Sequence, residues 1–130
     1  MVCLDTDIIV ALLRGDNKAI ETIEELQRMG MQFKTTIITV YELLKGAAIS
    51  SKSSENIKTV KELLHNVTIL GLDIDACGKA GLIYSDLRRS GKMISEFDIL
   101  IAAIVQHNRE TLITRDKHFQ EITTINIRQW

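Results

Sequence analysis

The chain has 130 residues, 45% of them hydrophobic, a length that suits one domain able to bury roughly two thirds of the surface its unfolded form exposes. Sixteen basic and seventeen acidic side chains leave a formal charge of -1, which excludes a global positive field for nucleic acid and leaves any such binding to a local patch. The longest uninterrupted apolar run, "ILIAAIV" from Ile99 to Val105, is far short of the ~18 residues of a membrane span; no basic region precedes the apolar start, so neither an anchor nor a signal peptide is expected and the expected location is the cytoplasm.

In chain order, "VCL" reads as a strand and "DIIVALL" as a helix closed by "RGDN". "KAIETIEELQRMG" carries Ile20, Ile23, Leu26 and Met29 at near-helical spacing and stops on Gly30. "QFKTTII" is a strand candidate followed by the helix "TVYELLKGAAIS". "SSENIKTVKELLHN" repeats the helical pattern through Ile57, Val60, Leu63 and Leu64, and "VTIL" is a third strand. "DACGKAGLIYSDLRR" is helical through Ala76, Ala80, Ile83 and Leu87 until "SGKM" breaks it. "EFDILIAAIVQHN" is apolar nearly all round after its first turn, which predicts a buried helix. "TLIT" and "INI" are the last strands. The absence of proline, repeats and low-complexity segments leaves no obvious linker, so residues 1–130 are expected to form one domain.

Strands alternating with helices predict an α/β fold, a mostly parallel central sheet flanked by helices on both faces. In such sheets the carboxyl ends of strands and the N-termini of the following helices share an edge where ligand crevices form. Asp5 ends the first strand, Asp116 follows "LIT", and Glu42 falls in the first turn of the helix after "KTTII", so all three are expected on that edge. Asp98 is less firmly placed, because a helix and a loop precede it. Each acid has an ordinary structural role open to it. "TVYE" and "SEFD" match the capping pattern in which an acid three residues on bonds back to the cap, and Asp5 and Asp116 could cap helices too. For any one acid alone, capping is the commoner role. Converging caps, however, repel in a partly dry cleft, and a divalent cation resolves that conflict. All-oxygen ligation suits Mg²⁺ or Mn²⁺, and the sequence offers no clustered His or Cys for zinc.

Cys3 and Cys77 lie in apolar surroundings without a CxxC partner. Two buried free thiols are the expectation, with a disulfide between them as the alternative.

The segments "LDTDIIVALLRGD", "TTIITVYELLKGA", "ISEFDILIAA" and "LITRDKHF" fall in the order and spacing of the PIN-domain ribonucleases. The chain resembles their small toxin branch, the VapC-type toxins of toxin–antitoxin pairs, over nearly its whole length, down to "INIRQW". The resemblance implies a PIN-like three-layer fold and a metal-dependent endoribonuclease. It implies an acidic cluster of Asp5, Glu42, Asp98 and Asp116, with Asp7 and Glu96 as auxiliary acids and Thr114 as a polar neighbour. Asp5 and Asp98 are expected as direct ligands of Mg²⁺ or Mn²⁺, Glu42 as a ligand or the group orienting the water, and Asp116 as a ligand. Thr6 and Thr114 would position the carboxylates or the substrate phosphate. The implied partners are an RNA substrate, a cognate antitoxin and a second copy of the chain in a homodimer, with no membrane.

Arg14, Lys45, Arg115 and Lys117 are candidates for holding the RNA backbone; Arg115 and Lys117 flank Asp116 directly. Arg88, Arg89 and Lys92 are weaker candidates. Tyr41, Tyr84 and Phe97 could stack on bases, although helical aromatics beside leucines more often pack in cores. His65, His107 and His118 are scattered and read as structural or surface residues. Three alternatives remain: a receiver-like Mg²⁺-binding signalling domain, for which Asp73 is a poor phospho-acceptor; a phosphatase with an early DxD nucleophile in "LDTD", which lacks the downstream lysine context and room for a substrate cap; and a catalytically dead PIN domain that only binds RNA.

Overall fold

The computed structural model describes all 130 residues. Five strands form one parallel sheet: β1 (Val2–Leu4), β2 (Phe33–Thr36), β3 (Thr68–Leu70), β4 (Thr111–Ile113) and β5 (Asn126–Arg128), in the spatial order β3-β2-β1-β4-β5. The helices are α1 (Thr6–Leu13), α2 (Asn17–Arg28), α3 (Ile37–Ala48), α4 (Ser53–Leu64), α5 (Ile74–Ser90) and α6 (Glu96–His107), with a 3-10 turn at Lys117–Glu121.

Successive strand side chains point to opposite faces, and the sheet buries both. Cys3 and Leu112 enter the core beneath α5 and α6, whereas Val2, Leu4 and Ile113 enter the one beneath α1 to α4. That is why "VCL" and "TLI" are apolar without alternation. α6 was expected to be buried, and it is: Ile99, Ile101, Ala102, Ala103, Ile104 and Val105 are all buried. Each of its larger side chains contributes about 1.5–3 kcal/mol by leaving water.

Expectations are corrected at three places. β2 ends at Thr36 and α3 begins at Ile37, two residues before "TVYE", because the Thr36 hydroxyl accepts the Thr39 N–H at 3.1 Å and caps the helix there. Thr39 is therefore inside the helix and fully buried. The turn at Lys117–Glu121 had no counterpart in the sequence reading; it forms because Asp116 accepts the His118 N–H and Phe119 is fully buried beneath it. Cys3 is buried but Cys77 is exposed, and both thiols are free. Cys77 follows the buried Ala76 by one residue, hence by about 100° around α5.

Candidate active site

The carboxyl edge of the sheet gathers the predicted acids from four different segments. Asp5 follows β1 and caps α1, accepting the Thr6 N–H on Oδ1 at 2.8 Å and the Thr114 hydroxyl on Oδ2 at 2.7 Å. It is only 5% exposed. Burial pushes its pKa up to about 7; the Thr114 and Thr6 donors oppose that rise, while the charges of Asp7 and Asp98 add to it.

Glu42 is not in a first turn. With the cap at Thr36 it sits in the second turn of α3, too far along to bond back to the cap, so the capping-box role is removed. Its Oε1 instead accepts the Thr6 hydroxyl at 2.9 Å, tying α3 to α1. Asp98 behaves differently from a capping acid as well. Ser95 caps α6 by accepting the Asp98 N–H at 3.2 Å, while the Asp98 carboxylate faces His118, whose Nδ1 lies 3.7 Å from Oδ2. Partial burial, then the charges of Asp116 and Glu42, raise the Asp98 pKa to about 6 against the opposing pull of His118.

Asp116 donates its N–H to Thr114 Oγ1 at 3.0 Å and lies 3.4 Å from His118 Nδ1. His118, read from sequence as a surface residue, is exposed yet joins Asp98 and Asp116: one ligand atom from each falls within 4.8 Å of the others. Thr114 is fully buried, and its single hydroxyl hydrogen is shared between Asp5 Oδ2 and Asp7 Oδ2, the latter at 3.1 Å. Asp7 has its other partners in the Arg115 N–H at 2.9 Å and the Trp130 indole N–H at 3.1 Å, so it is a brace held by neutral donors.

These residues wall an open cleft of about 460 Å³ lined by Asp5, Thr6, Asp7, Glu42, Asp98 and Asp116. Of the predicted RNA-binding cations, Arg14 and Arg115 line it; Lys45 and Lys117 do not. Lys45 stands 5.4 Å from the ring centroids of both Tyr41 and Phe97. Glu96 is exposed and outside the cleft wall. Sequence reasoning missed Asp16, which caps α2, and Trp130, both of which line the cleft. A signal for Trp130 was available, since it follows the parallel strand "INI" and so must emerge near the carboxyl edge. Asp73, the residue a receiver-like domain would have to phosphorylate, merely caps α5, lies outside this cleft and faces His107 at 3.3 Å.

The cluster fits a hard divalent cation on its own chemistry. Its donors are mainly carboxylate oxygens, and Asp5 and Asp98 are driven toward protonation by burial and by neighbouring carboxylates, a cost that a bound cation reverses.

The sequence model of the PIN domain matches residues 2–124. Ribonuclease VapC1 of Haemophilus influenzae strain R2866 is 32% identical over 132 residues, covering 98% of this chain and 96% of its own. Among solved structures, VapBC-1 from nontypeable Haemophilus influenzae superposes with a TM-score of 0.88 at 28% identity, covering 100% of this chain and 98% of the other. VapBC2 from Rickettsia felis, bound to a promoter DNA fragment, shares the fold with a TM-score of 0.91 at 23% identity, over 100% of this chain and 99% of that one. Sequence motifs, five-stranded parallel sheet and acidic cleft agree with those matches, and the chain belongs to the PIN-domain family.

Proposed function

We propose that residues 1–130 act as one metal-dependent endoribonuclease unit, the toxin of a type II toxin–antitoxin pair, with Asp5, Asp98 and Asp116 holding Mg²⁺ or Mn²⁺ and Glu42 completing the shell or orienting the attacking water. The observation that carries this reading is the convergence of Asp5, Glu42, Asp98 and Asp116 on one cleft, with the two more buried acids raised to about 7 and about 6. Capping alone does not require that convergence, and Glu42 caps nothing. PIN-domain nucleases generally use divalent metal, and such an ion lowers the pKa of a bound water and neutralises charge at a phosphodiester.

The chain's own residues supply the rest. Thr6 fixes the Glu42 carboxylate, and Thr114 fixes Asp5 and Asp7, so the acids are oriented before substrate arrives. Water attacks phosphorus, the bond from phosphorus to the 3′ oxygen breaks, and the departing oxygen takes a proton. The products are a 5′-phosphate and a 3′-hydroxyl, with no covalent enzyme intermediate. Arg14 and Arg115 offer the cleft its cations for RNA phosphates.

A cognate antitoxin is the expected partner, since related chains were solved as VapBC complexes, and a cationic segment of it would complement the acidic cleft. The toxin is expected to work as a homodimer in the cytoplasm. The experiment is cleavage of single-stranded and loop RNA by the purified protein: activity in Mg²⁺ or Mn²⁺ that EDTA abolishes, with 5′-phosphate ends, is the expected result. Cleavage surviving EDTA, or 2′,3′-cyclic ends, overturns the mechanism. Co-expression with the protein encoded next to it should give a complex and relieve growth arrest.

A further inference from the structure

We infer that Trp130 is the positioning residue that holds Arg115 as the phosphate grip of the cleft, an inference that rests on the nuclease reading above. Arg115 sits on the cleft wall among Asp5, Asp7, Asp98 and Asp116, yet its guanidinium forms an ion pair with none of them. What holds it instead is an aromatic face: Arg115 Cζ lies 3.3 Å from the centroid of the Trp130 ring. A guanidinium stacked on an indole gives up one face and keeps its planar fork of N–H donors free at the edge. That free fork matches the geometry of a phosphate.

The indole is itself fixed on two sides. It is 8% exposed and belongs to the core that includes Val2, Leu4, Ile8 and Ile113. Its N–H donates to Asp7 Oδ1 at 3.1 Å, and the other oxygen of Asp7 accepts the Arg115 main-chain N–H at 2.9 Å. Trp130 therefore restrains Arg115 twice, through the side chain by stacking and through the backbone by way of Asp7. Arg14, the other cation on the wall, has no aromatic face against it and no ion pair. The consequence is a pre-oriented cation beside the acidic cluster, placed to hold an RNA phosphate next to the scissile one.

The test is steady-state cleavage of a single-stranded RNA in Mn²⁺ by wild type, Arg115→Ala, Trp130→Leu, Trp130→Phe and the double variant Trp130→Leu/Arg115→Ala. Arg115→Ala is expected to raise KM about tenfold, the size of one charge-assisted contact, with kcat changed little. Trp130→Leu should raise KM in the same way, and Trp130→Phe, which keeps a stacking face but loses the N–H, should raise it less. The decisive outcome is the double variant, whose KM should match that of Arg115→Ala alone because both act on one contact. A multiplied KM in the double variant, or a fall in kcat with KM unchanged in Trp130→Leu, overturns the positioning role.

Trp130 is the only tryptophan, so indole emission gives a readout independent of cleavage and of how well Trp130→Leu folds. Titrating the same RNA with Ca²⁺ in place of Mn²⁺ should change the emission of wild type and not of Arg115→Ala. Equal changes in both overturn the inference while wild-type cleavage keeps the nuclease reading intact; a wild type that cleaves no RNA in Mg²⁺ or Mn²⁺ overturns the nuclease reading itself.

Discussion

The two edges of the sheet bury carboxylates in opposite ways. At the amino edge, Glu110 precedes β4, is 2% exposed and meets Lys34 of β2 at 2.5 Å. At the carboxyl edge, Asp5 is 5% exposed and meets only neutral donors and other acids. One edge neutralises its buried charge with a side chain of the chain itself. The other leaves the charge open, and the cost appears as the upward shifts of Asp5 and Asp98. Nothing about the fold demands this, since the same sheet solves the same problem with Lys34, whose register partner Cys3 is two residues from Asp5. The difference is what the proposed cation site at the carboxyl edge rests on.

The strongest way to break the comparison is to remove charge at the open edge. Asp5→Asn and Asp98→Asn keep the size of the side chain; Asn caps α1 about as well as Asp at position 5, and α6 keeps its Ser95 cap. Cleavage is expected to fall by orders of magnitude in each. Metal-free melting temperature should equal or exceed that of wild type, because a like-charge conflict is relieved. The stabilisation that Mn²⁺ gives wild type, about 2.7 kcal/mol at a hundred times the dissociation constant, should be largely lost. Wild-type cleavage and metal response retained in both variants would leave "LDTD" as a helix start and nothing more.

The amino edge should respond in the opposite sense. Lys34→Met strands Glu110 with a buried charge whose Oε2 already has no hydrogen-bond partner, so a loss of about 3–5 kcal/mol is expected in chemical denaturation. Removing both charges, as Lys34→Met/Glu110→Leu, should recover most of it. Cleavage by the folded fraction should stay at the wild-type level in both, because this edge faces away from the cleft.

The pH dependence of metal-free stability sharpens the contrast without a mutation. Asp5 titrates near 7 and Asp98 near 6 in the folded chain, against about 3.9 when unfolded. Between those values the native state holds more protons than the unfolded state, so stability falls as pH rises from about 4 to 7. This is the reverse of an ion-paired carboxylate, and for Asp5 the loss is on the order of a few kcal/mol. Denaturation in EDTA at pH 5 and pH 8 should show the protein more stable at the lower pH as far as this edge contributes, and Asp5→Asn should shrink that difference. Saturating Mn²⁺ should shrink it in wild type.

What the sequence disclosed follows from what is local. "VCL" and "TLI" are apolar throughout because both sheet faces are covered, and α6 is apolar nearly all round because it is buried, so the layers and the edge were legible. The start of α3 was not. "TTII" is β-branched and extends the strand by propensity, while the Thr36 hydroxyl commits the chain to a helix at Ile37. That shift of two residues moved Glu42 from a capping position to a bond with Thr6, which strengthened its place in the site for a reason absent from the sequence pattern. His118 reaches Asp98 and Asp116, and Asp16 and Trp130 reach the cleft, by tertiary routes, through a 3-10 turn, a loop after α1 and the strand β5, and no periodicity announces any of them.

Glu96 gives the smallest expected effect and the finest division of the edge. The family resemblance implies it as an auxiliary acid, but it lies two residues from Asp98, and two residues are about 200° apart around a helix. With Asp98 on the cleft wall, Glu96 must face away, and it is exposed there. Both acids occupy the first turn of α6 and each gains about 0.3–1 kcal/mol from the helix dipole. Glu96→Gln therefore loses the dipole contact and nothing else: a fall in stability within that range, cleavage within about twofold of wild type, and an undiminished response to Mn²⁺. Asp98→Asn loses the same dipole contact but relieves the repulsion from Asp116 and Glu42, so its metal-free stability should not fall while its cleavage does. If Glu96→Gln loses cleavage as Asp98→Asn does, the governing quantity is the summed negative charge of the edge and not the inward-facing set. A small stability loss with activity kept assigns the function to the side chains that share the cleft, since proximity in sequence and equal charge have then been held constant between the two variants.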